Sequence, residues 1–198
     1  MAVGRVLRWF GRPLGVTVLV VGLALAGAGL YWFQPWKLWV NETVRDEIPT
    51  AAPAGGANDA AEGTAEGAEA SGGTASDAPA GPETLAEGEL ISHEHTTTGS
   101  VKVLRLADGS RTLRLENLDT SNGPDLRVLL SDAPVKEGKA GWHVFDDGEY
   151  VSLGKLKGNK GDQNYALPAD ADLDKLTSVS IWCDRFDVSF GAAPLARG

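Results

Sequence analysis

The residue with the most distinctive chemistry is Cys183, the single cysteine of the 198-residue chain, which lies in the stretch SVSIWCDRF. One cysteine cannot form a disulfide within the chain. If this part of the chain lies in an oxidising compartment, a thiol retained there is either buried or has a chemical role. In a strand, alternation puts Val179, Ile181 and Cys183 on one face and Trp182 on the other. This pattern predicts an inert thiol on the core side, with redox chemistry or metal binding as the alternative.

Two histidines also have a spacing that could do chemistry. His93 and His95, in SHEHTTTG, share one face if this segment is extended, which is compatible with a metal site. With Cys183 they would supply the two imidazoles and one thiolate of a copper site. The usual weak axial methionine of such a site is missing, because the sole methionine is the initiator. Haem is the other candidate cofactor, but the chain has no C-x-x-C-H motif. No specific motif supports haem or copper, and a metal-free surface pair of histidines is the alternative.

A third stretch, LGKLKGNKGDQNY at residues 153–165, combines glycines and lysines as phosphate-binding loops do. It does not match G-x-x-x-x-G-K-[ST] and does not open a helix, so a lysine-bearing surface loop is the better interpretation. The chain also has no G-x-S-x-G or H-E-x-x-H motif, and its carboxylates form no evident acid–base pair. The sequence therefore gives little support to a classical enzyme activity.

The elements that must position these residues are strands. Residues 101–106 (VKVLRL) and 111–117 (RTLRLEN) alternate apolar and charged side chains around the turn at 107–110, which predicts a hairpin. Further strands are predicted at 125–131, 149–154, 163–168, 177–183 and 187–191. Short strands at intervals of about ten residues, without an amphipathic helix, predict an all-β fold, a small antiparallel β-sandwich.

The N-terminal part of the chain has a different character. Residues 13–33 (PLGVTVLVVGLALAGAGLYWF) are nearly all apolar or small and would span roughly 31 Å as a helix, close to the ~30 Å of a bilayer core. Aromatic residues cluster at both ends, as they do at membrane interfaces. We predict one transmembrane helix within residues 13–36, with a cleaved signal peptide as the alternative.

Charge predicts the orientation of this helix. Arg5, Arg8 and Arg12 precede it, whereas acidic residues outnumber basic ones in the segment that follows. The positive-inside rule therefore predicts a single-pass protein of the cell membrane, with a cytoplasmic N-terminus and an extracytoplasmic C-terminal domain. The net charge of −9 argues against nucleic acid as a partner.

Composition divides the chain into five parts. Between the helix and the strands lies a stretch rich in Ala, Gly and Glu, which has too few large apolar side chains to offset its own conformational entropy. The predicted parts are a basic cytoplasmic N-terminus (1–12), a transmembrane helix (13–36), a juxtamembrane segment (37–47), a disordered linker (48–88) and the folded domain (89–198).

Three stretches in the folded part resemble a known family. They are GSVKVLRLADGSRTLRLENLDTSNGPDLRVLLS, LGKLKGNKGDQNYALP and SVSIWCDRFDVSFGAAPL, and together they resemble the DM-thirteen domain, also called the electron-transfer DM-thirteen domain, which accompanies DOMON domains in animals. The resemblance runs from about His93 to Leu195. The helix followed by FQPWKLWV resembles the membrane-anchored bacterial members.

The resemblance implies a β-sandwich whose cysteine takes part in extracytoplasmic electron transfer. Carried over to this chain, that role falls on Cys183, flanked by Trp182, with Asn122, Asp125 and Tyr165 at other family-motif positions. The first hypothesis is a redox or electron-transfer module that acts on an extracytoplasmic redox or protein partner.

The second hypothesis is a non-catalytic module at the cell surface that binds a ligand or a protein. In that case Asn122, Asp125, Trp142 and Tyr165 would shape the binding surface, and Cys183 would be a structural residue sealed in the core. The two hypotheses differ in whether the thiol can be reached.

Overall fold

The computed structural model describes residues 13–36, 40–49 and 81–197. The chain divides into two compact units, residues 1–40 and 41–198. The predicted basic N-terminus (1–12) and most of the predicted linker lie outside the described residues.

The first unit contains helix α1, Pro13–Phe33, which carries no charged residue. By length and composition α1 can cross a membrane, and its part from Gly15 to Phe33 has a mean hydropathy of 2.0. A signal sequence near an N-terminus has the same properties. The predicted helix is thus present.

The second unit is a β-sandwich. Its strands are β1 Thr43–Arg45, β2 Glu83–Glu89, β3 Ile91–Ser92, β4 Thr98–Arg105, β5 Arg111–Asp119, β6 Leu126–Ser131, β7 Tyr150–Lys155, β8 Lys160–Leu167, β9 Ser178–Cys183, β10 Val188–Pro194 and β11 Ala196–Arg197. A short 3-10 helix, Gly138–Gly141, lies between β6 and β7. Within the described residues these strands form a six-stranded sheet, in the order β1-β8-β5-β4-β2-β11, and a five-stranded sheet, in the order β3-β10-β9-β6-β7.

The pairing confirms the predicted antiparallel sandwich. Strands β4 and β5 form the predicted hairpin, with Val101 opposite Leu115 and Val103 opposite Leu113. These four side chains are buried in a core shared by both sheets, because period-two alternation turns every second residue inward. One pair, β1 with β8, is parallel.

The domain extends further toward the N-terminus than the sequence predicted. Strand β1 falls in the predicted juxtamembrane segment, and β2 falls in the last residues of the predicted linker. Both strands are held by backbone pairing along neighbouring strands, and β2 buries only the small side chain of Ala86 fully. Composition misses such strands because backbone hydrogen bonds do not need large apolar side chains.

The central strand of the five-stranded sheet, β9, is covered on both faces. All six residues of β9 are buried, although the sequence predicted that only the face of Cys183 would meet a core. On the other face, Trp182 packs with Phe145, which comes from the connection between β6 and β7. This connection forms a small second core, made of Leu129, Ala133, Phe145, Trp182 and Ala192.

We expect the second core to contribute strongly to stability. Phe145 is fully buried, so Phe145→Ala should lower the free energy of unfolding by roughly 3–5 kcal/mol through lost burial and a residual cavity. Denaturant unfolding of the full chain in detergent, followed by tryptophan fluorescence, measures this change. The matched control is Tyr150→Ala, because Tyr150 is 46% exposed. Equal losses in the two variants would show that the connection does not form a packed core.

Candidate functional site

Cys183 is the last residue of β9 and lies at the end of the main core. It pairs with Leu126 of β6 and with Val188 of β10, and its side chain has no solvent exposure. Val179 and Ile181, which precede it on the same face of β9, belong to the same buried cluster. The prediction that Cys183 faces the core is therefore confirmed.

Backbone groups surround the thiol at this strand end. The backbone N–H groups of Phe186, Arg185 and Asp125 donate toward the Cys183 sulfur. The turn after β9 is held by a bond from the Phe186 N–H to the Cys183 carbonyl (3.1 Å), and the Asp184 N–H donates to the Asp125 carbonyl (3.0 Å). The thiol thus lies where the main core meets the turn after β9.

This environment has opposing effects on the ionisation of Cys183. Burial raises the pKa of the thiol, the three backbone N–H groups act in the other direction, and the negative charge of Glu94 adds to the rise. Burial is the largest cause, so the net effect is a raised pKa. The closed form of the site therefore holds a neutral thiol at neutral pH, which is a poor nucleophile.

Charged side chains pair beside the same turn. Arg127 Nη2 lies 3.3 Å from Asp125 Oδ2 and 3.2 Å from Asp184 Oδ2, and Lys155 Nζ lies 3.6 Å from Asp125 Oδ1. Asp125, a predicted site residue, therefore connects β6, β7 and the β9–β10 turn through charge pairs and its backbone carbonyl. Its position supports a role in holding the turn that follows Cys183.

His93 packs against the second core. Its Nε2 lies 3.1 Å from the Lys136 carbonyl oxygen, and its Nδ1 lies 2.8 Å from Ser189 Oγ. Because a carbonyl oxygen only accepts, Nε2 carries the proton and Nδ1 accepts from the Ser189 hydroxyl. The ring also stacks on Phe145, with centroids 5.8 Å apart. Both ring nitrogens are thus engaged, which leaves neither for a metal.

His95 is placed differently from His93. Its ring lies against Phe190, with centroids 3.9 Å apart, and its Nε2 lies 3.3 Å from Glu94 Oε2. Among the residues that the structure describes, no three His, Cys, Asp or Glu side chains form a group that could hold a metal ion. The arrangement of these residues therefore does not fit the copper site that the spacing suggested.

The remaining predicted residues have separate structural roles. Trp182 lies on the face of β9 opposite Cys183, with its ring edge against Phe145 (centroids 6.4 Å apart, planes at 70°). Asn122 accepts from the Gly123 N–H (2.8 Å) in the turn before β6. The structure does not gather these side chains around the thiol.

Tyr165 belongs to the other sheet. Its hydroxyl donates to Gln163 Oε1 (2.6 Å) and accepts from the Lys157 N–H (3.0 Å), while burial raises its pKa. This network holds the connection between β7 and β8. Tyr165 is therefore a structural residue of β8 in this geometry.

The sequence analysis did not identify Arg114, a buried arginine with several hydrogen-bond partners. Alternation within β5 predicts an outward, exposed arginine, yet Arg114 is only 5% exposed. Its guanidinium is paired with Glu116 (2.9 Å) and Asp162 (3.2 Å) and also donates to backbone carbonyls of residues 46 and 47. No local pattern reports this burial, because the covering segment is distant in sequence.

Comparison with known proteins places this geometry in a family context. A family model described as Electron transfer DM13 matches residues 89–195, which is 107 of the 198 residues (195 − 89 + 1). The match contains Cys183, Asn122, Asp125 and Tyr165, and it begins at the last residue of β2. No curated protein and no solved structure matches the chain.

The burial of His93 predicts a pH-dependent stability. Burial lowers the pKa of His93 below its ordinary value of 6.5, so the unfolded chain takes up this proton more readily than the folded one. The stabilisation is present above about pH 6.5 and is lost as the pH falls below that value. We expect the free energy of unfolding to fall more between about pH 7.5 and 5.5 in the wild type than in His93→Gln. Parallel pH profiles from denaturant titrations would contradict this assignment.

Proposed function

We propose that this chain, which belongs to the electron transfer DM13 family, is a membrane-anchored redox module whose reacting group is Cys183. The observation that carries the proposal is the position of the thiol inside the family match, at the end of β9, where hydrogen bonds from backbone N–H groups oppose the rise of its pKa. Such donors stabilise negative charge on sulfur once the thiol ionises.

The reaction we propose is thiol–disulfide exchange with an extracytoplasmic partner protein. The Cys183 thiolate attacks one sulfur of a disulfide in the partner, and a new bond forms between that sulfur and Sγ. The other partner sulfur leaves as a thiolate and takes up a proton. Cys183 is oxidised to a mixed disulfide, and the departing sulfur is reduced, so atoms and electrons balance.

This reaction requires the thiol to become accessible. Cys183 is the last residue of β9 and is followed directly by the short turn to β10, so the proposed exposure needs a local movement of residues 184–187. Asp187 in that turn has a φ of 49°, in the left-handed region that a non-glycine residue adopts at some cost. Opening the turn would release this strain while leaving the strand pairing in place.

A second function is supported by the complete burial of Cys183. In that case the domain is a non-catalytic cell-surface module that binds a ligand or a protein, and the cysteine is a small apolar core residue. The raised pKa of the thiol agrees with this alternative as well. The two functions differ in how fast the native thiol reacts.

We expect native Cys183 to react by local opening. In the full chain, an aromatic disulfide reagent should form a mixed disulfide at a rate that rises about tenfold per pH unit below the thiol pKa. The matched control is Val179→Cys in a Cys183→Ala background, since Val179 is equally buried on the same strand and face but lies away from the turn. Reaction of Cys183 should be at least about a hundredfold faster than in this control, because opening the turn costs less than global unfolding.

Equal rates for the two thiols, both matching the rate of global unfolding, would overturn the redox function. The non-catalytic binding module would then be the better account. A rate that exceeds the control but is unaffected by pH would contradict the thiolate mechanism specifically.

We further propose that α1 anchors the protein in the cell membrane as a single span, with residues 1–12 in the cytoplasm and the β-sandwich outside. The support is the apolar length of α1 and the three arginines that precede it. An uncleaved 20.8 kDa protein should stay in the membrane pellet after alkaline extraction, and protease added to intact cells should degrade the C-terminal domain. A shorter, soluble product would indicate a cleaved signal sequence instead.

A further inference from the structure

The edge of the six-stranded sheet is occupied by a segment that lies outside the family match. Strand β1 runs parallel to β8, with Thr43 opposite Lys160, Val44 opposite Gly161 and Arg45 opposite Asp162. Two further backbone bonds extend the pairing: the Lys160 N–H donates to the Glu42 carbonyl (3.1 Å), and the Asp46 N–H donates to the Asp162 carbonyl (3.0 Å). Residues 41–47 are therefore held along their whole length.

The N-terminal end of this segment is clamped by Asn159. Asn159 Oδ1 accepts from the Glu42 N–H (2.8 Å), and its Nδ2 donates to Asn41 Oδ1 (2.9 Å) and to the Thr120 carbonyl (2.7 Å). Asn159 is almost fully buried beside the segment, and its bond to the Thr120 carbonyl also ties its amide to the rest of the domain.

The C-terminal end is clamped by two side chains that are themselves buried. Arg114 Nη1 donates to the carbonyls of Asp46 (3.1 Å) and Glu47 (3.2 Å), and to Asn164 Oδ1 (2.9 Å). Asn164 Nδ2 also donates to the Glu47 carbonyl (2.7 Å). A buried guanidinium without these acceptors would lose charge-assisted hydrogen bonds, which gives the site a strong preference for an occupant.

One side chain of the segment is recognised specifically. The Asp46 carboxylate accepts from the Asn164 N–H (2.9 Å) and from Lys157 Nζ (2.6 Å). Because both donors come from the domain, the site selects an acidic residue at this position of the segment.

Two glycines make room for the close approach of this backbone. A Cβ at Gly161 would lie 2.0 Å from the Val44 carbonyl oxygen, and a Cβ at Gly158 would lie 2.5 Å from that of Glu42. Gly161 also has a φ of 92°, which favours glycine. Both glycines belong to LGKLKGNKGDQNY, the stretch interpreted from sequence as a lysine-bearing surface loop.

We infer that Arg114 and residues 157–164 form an acceptor site for an extended acidic peptide segment, which residues 41–47 of this chain occupy by β-augmentation. The acceptor residues lie inside the family match at 89–195, whereas their occupant lies outside it. When the site is filled, helix and domain are joined by residues 34–42, and residues 46–82 connect two strands of the same sheet. The predicted linker then does not act as the spacer between helix and domain.

The test is whether the segment stays bound after the covalent connection is cut. The full chain, with an N-terminal affinity tag and in detergent, would carry a site-specific protease sequence in place of residues 62–67. After complete cleavage, the C-terminal fragment should remain on the affinity resin because β1 holds it. Prompt loss of that fragment from the wild-type protein would overturn the inference.

Variants of the acceptor glycines test the contact with the backbone of the segment. Gly161→Ala should release the C-terminal fragment at least about tenfold faster than the wild type, through the clash with the Val44 carbonyl. Gly154→Ala is the matched control, since Gly154 has a similar φ of 109° with nothing within 4 Å of the added Cβ, and it should behave as the wild type. Equal release from the two variants would contradict the proposed site.

A change in the occupant tests the site without altering the acceptor. Asp46→Ala removes the bonds to the Asn164 N–H and Lys157 Nζ, and we expect at least about tenfold faster release of the C-terminal fragment. Unaltered release would show that Asp46 is not recognised. Neither result depends on the redox chemistry of Cys183, so this test and that of the proposed function can fail independently.

Discussion

The structure depends on the burial of β9 on both faces. A strand in this position can pair its backbone with β6 and β10, but each face needs its own apolar cover. The main core between the sheets covers Val179, Ile181 and Cys183, and the β6–β7 connection covers Trp182. This connection in turn requires anchors, and His93 provides one by linking the Lys136 carbonyl to Ser189. The two clusters together hold β9 in place, and with it Cys183 at the end of this strand.

Burial and hydrogen bonding have opposite effects on the ionisation of Cys183. Burial stabilises the folded domain and raises the pKa of the thiol, while the backbone N–H groups of the following turn favour the thiolate. Cys183 is the last residue of β9, and the short turn 184–187 to β10 follows it directly. The charge pairs of Arg127 with Asp125 and Asp184 connect β6 to that turn.

The opposite sheet shows how polar residues can become part of an interior. Arg114, Asn159 and Asn164 are buried, and each donates to, or accepts from, a segment that is distant in sequence. Such groups are costly to bury without partners, so the segment and its acceptor stabilise each other. Edge strands expose unpaired backbone groups, and β1 removes this liability along β8. Gly158 and Gly161 are therefore explained by close contact with the backbone of the segment rather than by phosphate binding.

The sequence by itself determined the apolar helix, the β-sandwich, the β4–β5 hairpin and the inward face of Cys183. Each of these follows from local periodicity or composition, which the chain carries wherever it folds. Only the tertiary structure decided the burial of Trp182 and Arg114, the separation of His93 from His95, and the strands β1 and β2. These depend on which distant segment covers a given face, and on backbone hydrogen bonds that side-chain patterns do not encode. A local sequence pattern cannot predict a contact between two segments that lie far apart along the chain.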